Sequence, residues 1–474
     1  MATAETITDS PVAAEVAELV ARSRAAQQQI ENATQEQVDR WIRGMVYAVC
    51  KPGMDEELAR ETVEETQLGN YRGKFLKMSV KTRAALMDII NDKSVGVIEE
   101  LPERNIVKIA KPIGVIGALS PSTNPEATPV IKAINAVKGR NSIIVCPHPR
   151  AKFVNAKICN LMREALVKMG APADLVIPIE QPSVEKTNEV MKQCDRILAP
   201  GGTPMVKAAY SSGTPALGVG VGNAVITVDD TADLDDAAEK ILISKTLDFA
   251  ASCSSDNSVV LLDAIYDTML EKLKGKGGFI IEGENKTKLQ NAIWEDGEHI
   301  NAKVVAQSPE FIASYAGFDI PEGTAFFIVP ETGFGPDYKF SGEKMTVTMA
   351  LYRAKDIDDA IRITNGIQAY QGQGHSCGIY STSDENIMKL AMGTKTSRVM
   401  VNQPQAPSNS GNLWNGMRQT FSLGCGSWGG NATNNNVTWR DLINETWVSK
   451  PLAKNKVIPA DEDLFGKDII ALVG

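Results

Sequence analysis

Three histidines in 474 residues leave little from which to build a metal centre. No cysteine or histidine pair has zinc-ligand spacing, so no metal is expected. No run approaches the roughly 18 apolar residues of a membrane span. The net charge of -9 argues against a general nucleic-acid binder, which needs a basic face. The opening stretch, MATAETITDSPV, has neither the basic nor the apolar segment of a secretory signal. The seven cysteines (50, 146, 159, 194, 253, 377, 425) are odd in number and scattered, which suits free thiols in a reducing cytoplasm. What is present is ordinary for a globular protein. Hydrophobic residues make up 43% and charged residues 23%, in a chain long enough for two or three cored domains.

The first third reads as helical. Val12, Val16, Leu19 and Val20 form one stripe; Trp41, Ile42, Met45, Val46 and Val49 form another, stopped by Pro52-Gly53. SVGVIEEL, PERN and IVKIA then predict a hairpin with Pro102 and Asn105 in its turn. From Ile113 strands and helices alternate. IGVIGAL, SIIVC, LVIPI, RILA and VITV (225–228) are strands, and 126–138, 152–169, 183–193 and 203–210 are helices. Such alternation means right-handed crossovers and a parallel, doubly wound sheet. A second alternating region has strands at 257–262, 325–329, 345–352 and 397–402. Its helices lie near 263–274, 284–293, 355–365 and 384–394. The expected class is α/β, with two doubly wound domains and a small β arm. The expected division is 1–94 (N-terminal helices of a cofactor domain), 95–110 (hairpin), 111–229 (Rossmann-like), 230–425 (catalytic) and 426–474 (C-terminal segment). The tail after Lys450 is expected at the surface.

Cys253 sits in LDFAASCSSDNSVV, between a helical pattern (Leu234, Ala238, Ile241) and the apolar run from Val259 to Leu262. Five of its six nearest neighbours are Ala or Ser, so a planar ligand could approach the sulfur. A thiol near free backbone N–H groups can have a depressed pKa and act as a nucleophile. Cysteine is also among the residues that most often just fill space.

Other segments carry chemistry more weakly. Asn124, in STNPEATP, follows a strand at the end where open α/β sheets place ligands, and its amide could donate to an oxyanion. A turn-forming Asn before Pro125 is the plainer reading. After SIIVC come His148, Arg150 and Lys152, where an NAD-type site usually has an acid; a 2′-phosphate would suit them, and so would solvent. Gly201-Gly202 lead into a helix, as pyrophosphate sites do and as plain turns do. Gly218, Gly220 and Gly222 alternate with valines and allow close backbone approach. Glu343 in GEKM could hold ribose hydroxyls, and His375 in GQGHSC could shuttle protons. LGCGSWGGNATNNNVT (423–438) implies a tightly turned, ordered loop.

Taken in order, STNP, PHPRAK, GGTPMVKAAYSSG, GVGVGN, the Cys253 segment, GEKM, GQGHSC and LGCGSWGGN resemble the aldehyde dehydrogenase superfamily. The likeness is to its CoA-acylating branch and runs from about Ile113 to Asn444. It implies that Cys253 attacks the aldehyde. Asn124 and the Cys253 N–H would form the oxyanion hole, and Glu343 would hold the nicotinamide ribose. Gly201, Gly202 and Gly220 would lie near NAD or NADP, and His375 would assist proton transfer or CoA attack. The hairpin and the segment after about residue 430 would pair between subunits, giving a homodimer or homotetramer.

Two departures from the family pattern matter. Hydrolytic members carry a glutamate base where this chain has Val219, which favours a CoA thiol as acyl acceptor over water. DFAASC stands where relatives have a more polar lead-in with Asn and Gly. A hydrolytic dehydrogenase is disfavoured by Val219, and a non-catalytic scaffold by the retained Cys253, Asn124 and Glu343. By resemblance, 402–420 lines the substrate mouth; Asn415 and Arg418 in it suggest a small anionic aldehyde. Acylating sulfoacetaldehyde dehydrogenases form a branch of the family, which puts sulfoacetaldehyde first. Succinate semialdehyde is second and acetaldehyde third.

Overall fold

A computed structural model describes residues 10–474. The opening residues before Ser10, on which the reading of the N-terminus partly rested, lie outside the described residues.

Fifteen strands form three sheets. In chain order they are β1 (Gly96–Leu101), β2 (Ile106–Pro112), β3 (Val115–Ser120), β4 (Ser142–Pro147) and β5 (Val176–Pro178). Next come β6 (Arg196–Pro200), β7 (Ala216–Val219), β8 (Ala224–Val228), β9 (Asp256–Leu262) and β10 (Gly278–Ile280). The last are β11 (Phe326–Pro330), β12 (Thr348–Ala354), β13 (Cys377–Tyr380), β14 (Val399–Val401) and β15 (Ile443–Ser449).

The first α/β unit is a five-stranded parallel sheet of order β5-β4-β3-β6-β7. β3 and β4 are buried at every position, as expected of apolar strands covered on both faces. The strand order reverses between β3 and β6. The crevice beyond their carboxyl ends is where such sheets bind ligands, and Asn124 and Gly201-Gly202 follow those two strands. The N-terminal helix Gln35–Cys50 buries Trp41, Ile42, Met45 and Val46 in the same core as Ile116, Ile131 and Val145.

The second unit is a seven-stranded parallel sheet, β10-β11-β12-β9-β8-β13-β14. Within it β8 pairs with β9 and β13, so the strand at 225–228 belongs here and not to the first sheet. The sheets change over at residues 220–223, earlier than the expected boundary at 229. Alternation alone could not show this, because β7 was read as a glycine segment. β10 (Gly-Phe-Ile) and β13 (Cys-Gly-Ile-Tyr) also escaped the pattern, since glycine interrupts each short apolar run.

β1, β2 and β15 form an antiparallel arm. β15 pairs with β2 of its own chain, from Ile443 opposite Pro112 to Ser449 opposite Ile106, so this pairing is made within one subunit. Beyond it the chain is exposed and carries two short helices, Asp461–Phe465 and Lys467–Val473.

One helical rod is irregular. α-Helical Tyr71–Leu76 and Thr82–Ile89 are joined by a π-helical turn at Lys77–Lys81. Such turns occur disproportionately at functional sites.

Candidate active site

Cys253 lies in the turn between the helix Leu234–Thr246 and β9. The approach to it is strained: Asp248, Phe249 and Ala250 have φ of 51°, 50° and 63°. Left-handed backbone costs a residue with a Cβ about 1–2 kcal/mol. The Asn and Gly expected there by resemblance are the types that tolerate it. Here the turn is held from outside instead. The buried Asp248 carboxylate pairs with Lys74 at 2.9 Å and with Lys77, and accepts from the Asn70 N–H at 2.8 Å.

The same Lys77 ammonium donates to Asn124 Oδ1 at 2.5 Å. This fixes which way the Asn124 amide points. Its oxygen is committed to Lys77, so its Nδ2 is the group presented elsewhere, with one contact to Thr123 Oγ1 at 3.2 Å. Asn124 and Ser252 line one cavity of about 250 Å³ with Lys77 and Lys81. The Cys253 N–H makes no hydrogen bond among the described residues, which leaves two donors for an oxyanion.

His375 Nε2 is 3.2 Å from Cys253 Sγ, and its Nδ1 meets Ser376 Oγ at 2.9 Å. In the tautomer with Nδ1–H donating to Ser376 Oγ, Nε2 is free to accept the thiol proton. Burial, and then the charge of Arg398, push the His375 pKa down to about 3. Burial, and then the nearby Glu343 carboxylate, push the Cys253 thiol up to about 12. The sequence suggested a depressed thiol pKa; the dry, partly buried site reverses that direction. The resting pair is a neutral thiol and a neutral imidazole.

Glu343 faces this thiol. Burial raises its pKa to about 8, against an opposing hydrogen bond from the Gly222 N–H. A Cβ on Gly222 would lie 2.0 Å from the Cys253 carbonyl oxygen, so only glycine lets this strand end pack against the nucleophile. Gly374, at φ 85°, is pressed equally closely on the Cys425 carbonyl, which joins GQGHSC to LGCGSWGGN. Arg398 completes that junction. Its buried guanidinium donates to the carbonyls of His375, Gly424, Asn434 and Asn435 and to Asn436 Oδ1.

The remaining expected residues sit as follows. Gly202 caps the helix Thr203–Tyr210 without any side-chain hydrogen bond, a cradle that fits a pyrophosphate. The Gly220 N–H donates to Asn431 Oδ1 at 3.3 Å. His148, Arg150 and Lys152 surround the start of the helix Lys152–Lys168. Arg150 donates to the Thr66 carbonyl at 2.7 Å, and Glu65 takes the N–H groups of Phe153 and Val154 at 2.9 and 2.7 Å. Asn415 is consumed within its loop, donating to Gln403 Oε1 and the Ser408 carbonyl. Arg418 is paired with Asp92 at 3.4 Å and Asp88 at 3.8 Å and does not line the cavity. Lys74, Lys77, Lys81, Asp248 and Arg398 were not singled out from the sequence. The spacing 74, 77, 81 places all three lysines on one helical face, a signal that was there to read.

Two parallel α/β units, one carrying a Cys–His pair and the other an amide donor that shares a cavity with Ser252, define a cysteine-dependent oxidoreductase of the two-domain dehydrogenase kind. The model of the aldehyde dehydrogenase family matches residues 2–284, and the chain belongs to that family. It is 43% identical over 451 residues to a sulfoacetaldehyde dehydrogenase of an Acholeplasma species, covering 94% of this chain and 93% of the relative. It is 42% identical to an acylating sulfoacetaldehyde dehydrogenase of Bilophila wadsworthia, covering 95% and 98%. The crystal structure of an acetylating aldehyde dehydrogenase from Geobacillus thermoglucosidasius superimposes with a TM-score of 0.90 at 34% identity, over 94% of this chain and 98% of that one. The likeness to the acylating branch, first carried by the motifs, thus extends over nearly the whole chain.

Proposed function

We propose that the chain oxidises a small anionic aldehyde, sulfoacetaldehyde first, to its acyl-CoA, with NAD or NADP as hydride acceptor. Succinate semialdehyde is the second substrate and acetaldehyde the third. The observation that carries the reading is the Cys253–His375 contact at 3.2 Å, next to Ser252, which shares a cavity with Asn124.

Cys253 Sγ bonds to the aldehyde carbon while its proton passes to His375 Nε2. Deprotonation and addition go together, because neither a free thiolate nor a free imidazolium is stable in so dry a site. The carbonyl π pair becomes an alkoxide, received by Asn124 Nδ2 and the Cys253 N–H. A bound nicotinamide supplies the hydride acceptor that turns this adduct into a thioester on Cys253. Glu343 offers its carboxyl group to the ribose, and the uncapped helix at Gly202 offers its N–H groups to the pyrophosphate. His375 gives up its proton to solvent; the CoA sulfur then bonds to the acyl carbon, the Cys253 sulfur leaves, and the CoA thiol proton reaches Cys253 through the discharged His375. Val219 is a buried strand residue and supplies no base for water.

Seven free cysteines suit the cytoplasm. The arm of β1, β2 and β15 presents a half-exposed Trp447 and an open edge strand, which suits a homodimer or homotetramer. The test is turnover of a panel of small aldehydes with each nicotinamide cofactor, with and without CoA. Sulfoacetaldehyde should give its acyl-CoA. Steady oxidation to free acid at full rate without any thiol would refute the reading.

A further inference from the structure

Lys81 occupies an unusual electrostatic position. It ends the π-helical turn that begins at Lys77, and both lysines line the cavity shared by Asn124 and Ser252. Its ammonium donates to three neutral oxygens: the carbonyls of Ser410 and Gly411 and Gln419 Oε1, at 2.6, 2.5 and 2.6 Å. Among the described residues no carboxylate comes within salt-bridge distance of it.

The surrounding charges are already matched. Lys74 and Lys77 face Asp248 and Glu126. Asp88 is taken by Arg418 and by the Gln419 N–H. Lys81 therefore gives the cavity one positive charge with no counterion in the protein. Burial with so little compensation also pushes its pKa down to about 7. An uncompensated, partly buried cation is unfavourable unless a ligand supplies the missing anion. The nearby ring of Phe421, 5.7 Å from the ammonium, leaves the short carbon chain of a ligand an apolar wall.

We propose that Lys81 is the residue that reads the anionic end of the substrate, a sulfonate or carboxylate one or two carbons from the carbonyl, through its charge, its three N–H donors being held by Ser410, Gly411 and Gln419, and that Arg418 is a structural cation. The inference rests on the acylating dehydrogenase reading and on an anionic substrate. It moves anion recognition from the 402–420 loop to the helix that also orients Asn124. Ser252, the residue before the nucleophile, and Lys81 line the same cavity.

The test compares wild type with Lys81→Met and Lys81→Arg, using sulfoacetaldehyde, succinate semialdehyde and uncharged propanal. The quantity read is the ratio of kcat/KM for each anionic aldehyde to that for propanal. Lys81→Met should lower the ratio at least tenfold, equivalent to about 1.4 kcal/mol, while Lys81→Arg keeps part of it. Arg418→Ala, measured alongside, should lower it less than Lys81→Met. A second readout needs no turnover: the rate of Cys253 alkylation by iodoacetate relative to neutral iodoacetamide, which should also fall in Lys81→Met. A wild type with no preference for anionic aldehydes overturns the substrate reading and this inference with it. A wild type that prefers them, with the preference kept in Lys81→Met, leaves that reading intact and overturns the role of Lys81. Should Lys81→Met turn over no aldehyde at all, the alkylation ratio decides, and an unchanged ratio overturns the proposal.

Discussion

Replacing Lys77 by methionine tests whether the oxyanion hole is oriented by the lysine cluster. In the native site Asn124 Oδ1 accepts from Lys77, and Asp248 accepts from the same ammonium. Without the ammonium that bridges them, Asn124 Oδ1 loses its donor and the Asp248 carboxylate loses one of its own, which favours turning the Asn124 amide over. The inverted amide would present its oxygen to the developing alkoxide. Loss of one oxyanion donor costs roughly 10²–10³ in kcat, about 2.7–4 kcal/mol. Asn124→Ala should show that full loss. Lys77→Met should show about tenfold to a hundredfold, because the inverted amide is favoured but not obligatory. The fold should survive, since Lys74 stays 2.9 Å from Asp248. Hydride transfer is measured with propanal, whose lack of charge removes any direct attraction to Lys77. The decisive sample is the double variant. If Lys77 acts through Asn124, the double variant should match Asn124→Ala to within about twofold. Losses that multiply would refute the argument and leave Lys77 an independent role.

Cys253→Ala should abolish dehydrogenase turnover while the chain still binds nicotinamide cofactor, as read by fluorescence titration; substitutions at Cys50, Cys146, Cys159 and Cys194 should change turnover little. Free-enzyme kcat/KM for anionic over uncharged aldehydes should fall as pH rises through about 7, because Lys81 is cationic below its depressed pKa and loses its charge above it. Asp88 opposes that depression, and the facing Lys77 is charge-paired with Asp248. Groups common to both substrates cancel in the ratio, and a flat ratio would contradict the sign. NADP+ should serve at least as well as NAD+, with Arg150→Ala and Lys152→Ala lowering kcat/KM for NADP+ about tenfold, as expected from lost charged hydrogen bonds. A strong wild-type preference for NAD+ would overturn this and point to Glu65, which holds the N–H groups of Phe153 and Val154 just after them. Arg398→Lys should lower the melting temperature and cost about 3 kcal/mol or more, because three donors cannot replace the five bonds now made; an unchanged melt would show the loop to be held otherwise.

Most of the architecture was legible because buried strands and amphipathic helices have periods. The parallel class, the hairpin and the helices flanking Cys253 all follow from runs of five residues or more. Assignment of β8 to the second sheet was not legible, because a strand's sequence carries its burial and not its neighbours. The glycine motifs were readable as close approaches, and Gly222 against Cys253 is one. Arg418 misled for a physical reason. A cation in an amide-rich loop looks unpaired in sequence, but Asp88 and Asp92 come to it from a helix more than 300 residues earlier. Lys81 was passed over in the sequence for the converse reason. Its lack of a partner appears only when the chain is folded around it.

Burial also bears on the choice of acyl acceptor. A thioester in this site is exposed to whatever nucleophile can be activated beside it. Water needs an ionised base, and the carboxyl that faces Cys253 is Glu343, whose pKa burial raises to about 8. At neutral pH Glu343 is mostly protonated and accepts no proton from water. His375, held down to about 3 by burial and Arg398, is too weak a base for water but adequate for a thiol, which gives up its proton far more readily. The depressed histidine and the raised glutamate thus act in the same direction as Val219. Both shifts come from the same cause, burial that keeps the Cys253 thiol, His375 and Glu343 neutral until the substrate's own charge develops.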